Sequence, residues 1–317
     1  MSFFAILFAL LLEQARPLNP VNWVHTSVRS WVQMVAKNFD AGKQQHGWLA
    51  WSITVAVPSL VVLAVHGFLV MTSSWILAMA WSVVVLYITL GFRQFSHHFT
   101  DIRDALDAGD EARARDLLAA WQQIDAAELP PSEIVRHVIE YSVLAAHRHV
   151  FGVLAGYTLL AALGLGPTGA VAYRLSEFVA RYWRQLDKDA GVSELAHDAA
   201  VTAWQLIDWL PARITALGFA VVGSFEEAID SWRQYGQNTE SNNDGVILAA
   251  TSGAINVRLS SATVEPEEDP EAPSTLTAVP SQEPLVSHLR SIVGLVWRSV
   301  VLWMLLLALL TLARLMG

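Results

Sequence analysis

Two apolar stretches, at residues 48–70 and 74–90, constrain this chain more than any other feature. Each offers about 20 apolar or neutral residues, the length that crosses a ~30 Å hydrocarbon core as a helix. Only Met71, Thr72 and Ser73 separate them, so the pair reads as a membrane hairpin with both outer ends on one face. Those ends carry Arg16, Arg29, Lys37 and Lys43 before the hairpin and Arg93, Arg103, Arg113 and Arg115 after it, and positive flanks stay on the cytoplasmic side. Residues 292–315 form a further spanning stretch, with Arg290, Arg298 and Arg314 placed to snorkel. Inside lipid, every backbone polar group must be bonded within the protein, which leaves helices or closed barrels. No strand alternation runs along the chain, so the expected fold is all-α: a multi-pass integral protein of a bacterial inner (cytoplasmic) membrane, with the lipid bilayer as its first partner.

Composition agrees. Of 317 residues, 54% are hydrophobic and only 15% charged, which is apolar for a soluble domain. Thirteen tryptophans against six tyrosines read as interfacial anchors, since Trp48, Trp51, Trp75, Trp297 and Trp303 sit at or near the ends of apolar runs. A net charge of -9 excludes nucleic acid, because no basic patch exists to neutralise phosphates. The absence of cysteine excludes disulfides, thiol nucleophiles and thiolate metal sites. The apolar run at residues 2–12 lacks a preceding basic residue and a small-residue cleavage site, and reads as a retained membrane-associated helix.

Six segments follow from these patterns. Residues 1–47 hold the apolar helix and an amphipathic segment with Val24, Val28, Trp31, Val32, Val35 and Phe39 at helical spacing. Residues 48–92 are the transmembrane hairpin, and 93–131 a cytoplasmic helical hairpin turning at Asp107-Ala108-Gly109-Asp110. Region 132–259 is a helical membrane core. It opens at Pro130-Pro131-Ser132-Glu133, with Ser132 expected as the cap, and breaks near 164–167, where Gly164 and Gly166-Pro167 suggest re-entrant half-helices. Residues 199–223 read as another largely apolar helix, interrupted by Asp208, Pro211 and Arg213. Residues 260–285, rich in Pro, Glu, Ser and Thr, read as a disordered linker, and 286–317 as the C-terminal transmembrane helix.

Candidate functional residues fall in three places. His97, His98, His137 and Glu140 are metal-ligand types, but two ligands sharing a helix face do not make a site, and His147 and His149 point to opposite sides of a helix. No metal site is expected. Arg136 and Glu140 are an i, i+4 pair at the level of membrane entry, where ionisable groups often carry function. Asn242, Asn243, Asp244 and Gly245 form a cap sequence whose helix N-terminus suits phosphate or carboxylate, with Arg174 and Arg213 as cationic completions. No Walker A, GxGxxG, GxSxG or HExxH motif is present.

Read in order, these features carry a family resemblance. Residues 16–24 (Arg-Pro-Leu-Asn-Pro-Val-Asn-Trp-Val) are similar to the His-Pro-Val-x-Trp-Ile segment of the CobD/CbiB (adenosylcobinamide-phosphate synthase) superfamily, with Asn19 in place of the histidine. Ala105-Leu106 with Gly109-Asp110, Glu133 to Arg136 with Glu140, Gly169 to Arg174, residues 209–216, and Asn243 to Gly245 with residues 253–259 resemble later family motifs. The resemblance implies a membrane enzyme of cobalamin biosynthesis that joins adenosylcobyric acid to aminopropanol or its phosphate in an ATP-dependent, magnesium-assisted amide synthesis, with Glu140 and Asp244 in catalytic roles.

Departures point to the superfamily's AmpE-like branch. Arg-Asp-Thr is replaced around Trp121 to Asp125, Glu-Asn-x-x-Asp-Gly becomes His147-Arg148-His149-Val150-Phe151-Gly152, and Asn-Thr-x-Asp-Ser gives way near Glu177. The AmpE branch is described as an inner-membrane modulator linked to β-lactamase induction. The main expectation is therefore a modulator that binds a corrinoid or cell-wall-derived ligand or a partner without forming amides. The alternative is the synthase.

Overall fold

The structure, a computed structural model, describes residues 2–16, 23–40, 42–72, 74–91, 93–186, 192–238, 242–259 and 282–316. The linker expected at 260–285 lies outside the described residues as far as 281, as does much of the motif at 16–24. Among the described residues there is no strand. Helices run in the order α1 (Ser2–Ala15), α2 (Trp23–Phe39), α3 (Gln44–Met71), α4 (Trp75–Thr89), α5 (Arg93–Asp107), α6 (Glu111–Gln122) and α7 (Pro131–Ala146). A π turn (His147–Phe151) joins α7 to α8 (Gly152–Ala162). Then come α9 (Thr168–Gln185), α10 (Glu194–Val222), α11 (Phe225–Asn238), α12 (Asn243–Ile255) and α13 (Val286–Met316).

Among the described residues, four helical stretches are long and apolar enough to cross a membrane: 44–71, 131–162, 194–222 and 286–313. At 1.5 Å per residue each exceeds the ~30 Å core. Helix α3 leaves Leu60 59% and Phe68 66% exposed, a surface that only lipid or another apolar partner suits. Helix α4 has 15 residues, or about 22 Å, and is shorter than its apolar stretch in the sequence. It ends at Thr89, where Leu90 adopts an extended backbone and the Thr89 hydroxyl bonds the carbonyls of Val85 and Leu86.

The chain divides into two compact units. The first comprises residues 1–93, 148–211 and 307–317. In it α3 packs on α2, α4 and α9, α1 packs on α4, and α8 folds back against α9. That hairpin turns through Leu163 to Pro167, where Gly164 and Gly166 hold φ of +81° and +58°. Its two helices meet backbone to backbone: a Cβ on Gly156 would come within 2.8 Å of the Gly169 carbonyl oxygen, and one on Gly169 would overlap Gly156. The second unit comprises residues 94–147 and 212–306. Its centre is α12, buried along nearly its whole length between α11 and α7, while α6 also packs on α7.

Local signals explain the helix starts. Asp110 caps α6 by accepting from the Arg113 N–H at 3.0 Å, after Gly109 at φ +75°. Helix α7 starts at Pro131 with Pro130 as its extended cap, so Ser132 lies inside the first turn and is not the cap. Proline at N1 lacks only an N–H that would have no partner anyway. The helix expected at residues 199–223 is α10, which runs unbroken through Asp208, Pro211 and Arg213; its proline is of the kind that apolar surroundings tolerate. The Gly156–Gly169 approach predicts that Gly169→Val forces α8 from α9 and costs about 1–3 kcal/mol. Gly218→Ala, with nothing within 4 Å of the added methyl, holds or gains stability. Thermal unfolding of the purified variants in detergent checks both.

Candidate functional site

Each unit gathers charged and polar side chains, and the two sets differ in kind. In the second unit the set forms at the start of α12. Asn242 is its N-cap, accepting from the Gly245 N–H at 2.6 Å, and Asp244 lies in the first turn. Arg213, on α10, donates from Nη1 to Asn243 Oδ1 at 3.1 Å. Two residues along α10, Thr215 meets the buried His147 ring, Nδ1 to Oγ1 at 2.9 Å. Gly245 has to be glycine because the Tyr235 hydroxyl occupies the place of a side chain. A guanidinium beside a capped helix N-terminus is an arrangement that holds a phosphate or carboxylate.

The structure thus brings Arg213 together with Asn243, as the sequence reading wanted, on the helix start that Asn242 caps. Arg136 does something else. It pairs with Glu133, one turn earlier, as well as sharing a helix face with Glu140. Arg174 belongs to the first unit and joins a separate set there.

That first-unit set is built on one face of α9. Arg174, Glu177 and Arg181 are spaced i, i+3 and i+7, and Glu177 binds both guanidiniums. Its side chain is 1% exposed, against 15% for Arg174 and 44% for Arg181. Beside them Tyr173 donates its hydroxyl to Asp208 Oδ1 at 2.8 Å and meets Trp204 edge-on at 5.1 Å. The Tyr173 hydroxyl fills the place where a side chain on residue 152 would sit, so Gly152 is what lets it reach Asp208. Burial pushes the phenol well above its usual range, and the Asp208 charge pushes it further. It therefore stays protonated as a donor. Burial also lowers Arg174, with Glu177 opposing, and the guanidinium remains charged. His25 is lowered by burial, then by Arg174 and Arg29, which keeps its imidazole neutral at pH 7.

Sequence reasoning named Arg174 and missed Glu177, Arg181, Tyr173 and Asp208 as a set. The signal was present, because an acid flanked by arginines at i-3 and i+4 on one face is legible from spacing alone. His147 and His149 do point apart, His147 to Thr215 and His149 toward Arg174 and Arg181. Among the described residues no group of three or more His, Asp or Glu side chains gathers as a metal site would require. His98 stacks on Trp121 at 5.5 Å. The Glu177 geometry predicts an asymmetry. Glu177→Gln leaves two guanidiniums facing each other around a buried position and costs about 3–5 kcal/mol, whereas Arg181→Gln, half in solvent, costs about 1 kcal/mol or less. Detergent-resistant thermal unfolding reads the difference.

Comparison with known proteins fits this geometry into a lineage. The family model described as CobD/Cbib protein matches residues 2–296. Cobalamin biosynthesis protein CobD of Stutzerimonas stutzeri is 28% identical over 266 residues, covering 84% of this chain and 82% of that protein. The protein of the same name from Chromobacterium violaceum is 30% identical over 179 residues, 56% of this chain and 54% of its own length. Its namesake in Leptospira interrogans is 27% identical over 58% of each chain. No solved structure matches. A match that begins in α1, ends in α13 and runs through the helices bearing both polar sets makes this chain a member of the CobD/CbiB family.

Proposed function

We propose that this chain acts in cobalamin biosynthesis in a bacterial inner membrane, as an adenosylcobinamide-phosphate synthase joining adenosylcobyric acid to aminopropanol or its phosphate in an ATP-dependent reaction. The observation that carries this reading is the family match over residues 2–296, with a relative named for cobalamin biosynthesis aligned over 84% of the chain. The comparisons favour this alternative over the AmpE-like expectation.

Amide formation asks for two things of the protein: a holder for an anionic carboxyl or phosphate group, and an acceptor for the proton that the amine loses. In this reading Arg213, Asn243 and the N–H groups at the start of α12 are the holder, with Arg136 on α7, a helix that packs on α12, as a further cation. Asp244 in the first turn of α12 and Glu140 on α7 are the carboxylates assigned to accept the proton. ATP enters as co-substrate.

Magnesium, which the synthase reading implies, takes oxygen ligands in near-octahedral array. Asn243 Oδ1 accepts from Arg213 and Asn242 Oδ1 from Gly245, so within this set the Asp244 and Glu140 carboxylates are the groups with the chemistry to hold it. A second reading, an AmpE-like modulator that binds a cell-wall-derived ligand, has one observation in its favour: residues 147–152 place two imidazoles and a guanidinium in a π turn where the synthase pattern has carboxylates.

Purified full-length protein in detergent, supplied with adenosylcobyric acid, aminopropanol phosphate, ATP and magnesium, is expected to form adenosylcobinamide phosphate. Arg213→Ala loses a charge-assisted contact of about 1.5–3 kcal/mol and lowers kcat/KM about 10- to 100-fold, and Asp244→Ala removes turnover. Folded protein that makes no product, yet binds muropeptides, overturns the synthase in favour of the modulator.

A further inference from the structure

The first unit holds a cavity of about 330 Å³ between α2, α3, α4 and α9, at the small end of ligand pockets. Trp31, Pro58, Ile88, Val171, Leu175 and Phe178 make most of its wall. Its polar lining is His25, Ser27, Thr89 and Arg174, and none of the described lining residues is acidic. The Thr89 hydroxyl is already spent on helix carbonyls. Arg174 is therefore the charge that the cavity presents, at one end of an apolar slot.

The cavity is also preformed. Pro58 has no N–H, so the Thr54 carbonyl one turn earlier in α3 is released from its helix bond. The Trp31 indole N–H takes it at 3.1 Å. This bond pins α2 to α3 and sets Trp31 in the cavity wall.

We propose that this cavity binds an anionic phospholipid of the surrounding bilayer, with its phosphate on Arg174 and the start of one acyl chain between Trp31, Pro58 and Phe178. Charge complementarity carries the choice of occupant. Glu177 binds both Arg174 and Arg181, and Arg174 lines the cavity with no acid among the described lining residues, so an anion there meets a guanidinium in a low-dielectric place. Helix α2 carries Arg29 and Lys37 and no acid, and exposes 78% of Trp23, as a helix lying on an anionic membrane surface does. Beside Pro58, α3 exposes Val57, Leu60 and Val61, a track along which the remainder of the chain continues into lipid. The site is independent of the α12 set and of the reading built on it.

The test is thermal unfolding of the full chain in detergent with dihexanoyl phosphatidylglycerol, dihexanoyl phosphatidylcholine or inorganic phosphate. Phosphatidylglycerol at about ten times its dissociation constant raises Tm by about 2 °C, and the other two do not. Val171→Trp, which fills the slot, and Arg174→Gln, which removes the charge, each abolish the rise. Val28→Trp at the edge of the cavity does the same should Val171→Trp fail to fold. The proposal is overturned by an equal rise with phosphatidylcholine or with inorganic phosphate alone, by no rise with phosphatidylglycerol, or by a wild-type rise in the slot-filling variants.

Discussion

Hydrocarbon offers the peptide backbone no hydrogen-bond partner, and each departure from α-helical geometry in this chain has to be met from within the protein. Pro58 shows how this is done. Its missing N–H releases the Thr54 carbonyl, and a tryptophan from the preceding helix supplies the bond. One sequence choice thereby breaks a helix ladder, docks a neighbouring helix and shapes a cavity. Elsewhere in α3 the Thr54 and Ser59 hydroxyls turn to the carbonyls of Ala50 and Val55, which removes polar groups from an apolar surface without any tertiary partner.

Where helices meet inside the protein, steric fit takes over from hydrogen bonding. Glycines 156 and 169 let α8 and α9 touch at the backbone, and Gly152 makes room for a phenol. That closeness is what allows Tyr173 to reach Asp208 and what places Glu177 out of solvent. A buried carboxylate between two arginines is a costly device for stability alone, since an apolar replacement of similar shape often does as well. Here it fixes Arg174 at the edge of the cavity, where its guanidinium is aligned for the proposed anion.

Much of this was legible in the sequence. Helix positions, the turn at 107–110 and the cap sequence at 242–245 came from periodicity and from local rules that act within a few residues. What local rules miss is the exact start and the full set of partners. The helix expected from Val246 begins at Asn243 with Asn242 as its cap, and Arg136, read with the acid at i+4, also pairs with Glu133 at i-3. Ser132 had the chemistry of a cap, yet Pro130 took the position because Pro131 fits N1 so well. Asp208, Pro211 and Arg213 interrupt the apolar pattern of residues 199–223 and yet lie within one unbroken helix, α10. Asp208 looked out of place in an apolar helix until Tyr173, 35 positions earlier, supplied its donor.

The stretch at 147–152 bears most directly on chemistry. A π turn inserts an extra residue into a helix and often marks a functional position. Here it sends His147 toward Thr215 and sets His149 near Arg174 and Arg181. The synthase pattern would fill this stretch with carboxylates suited to a hard cation; histidine and arginine suit anions instead. The exchange of acid for base in this stretch removes oxygen ligands for a hard cation and leaves groups that bind anions, and this is why a binding role without turnover competes with the proposed amide synthesis: anion capture survives such an exchange, whereas a metal-assisted step loses ligands by it.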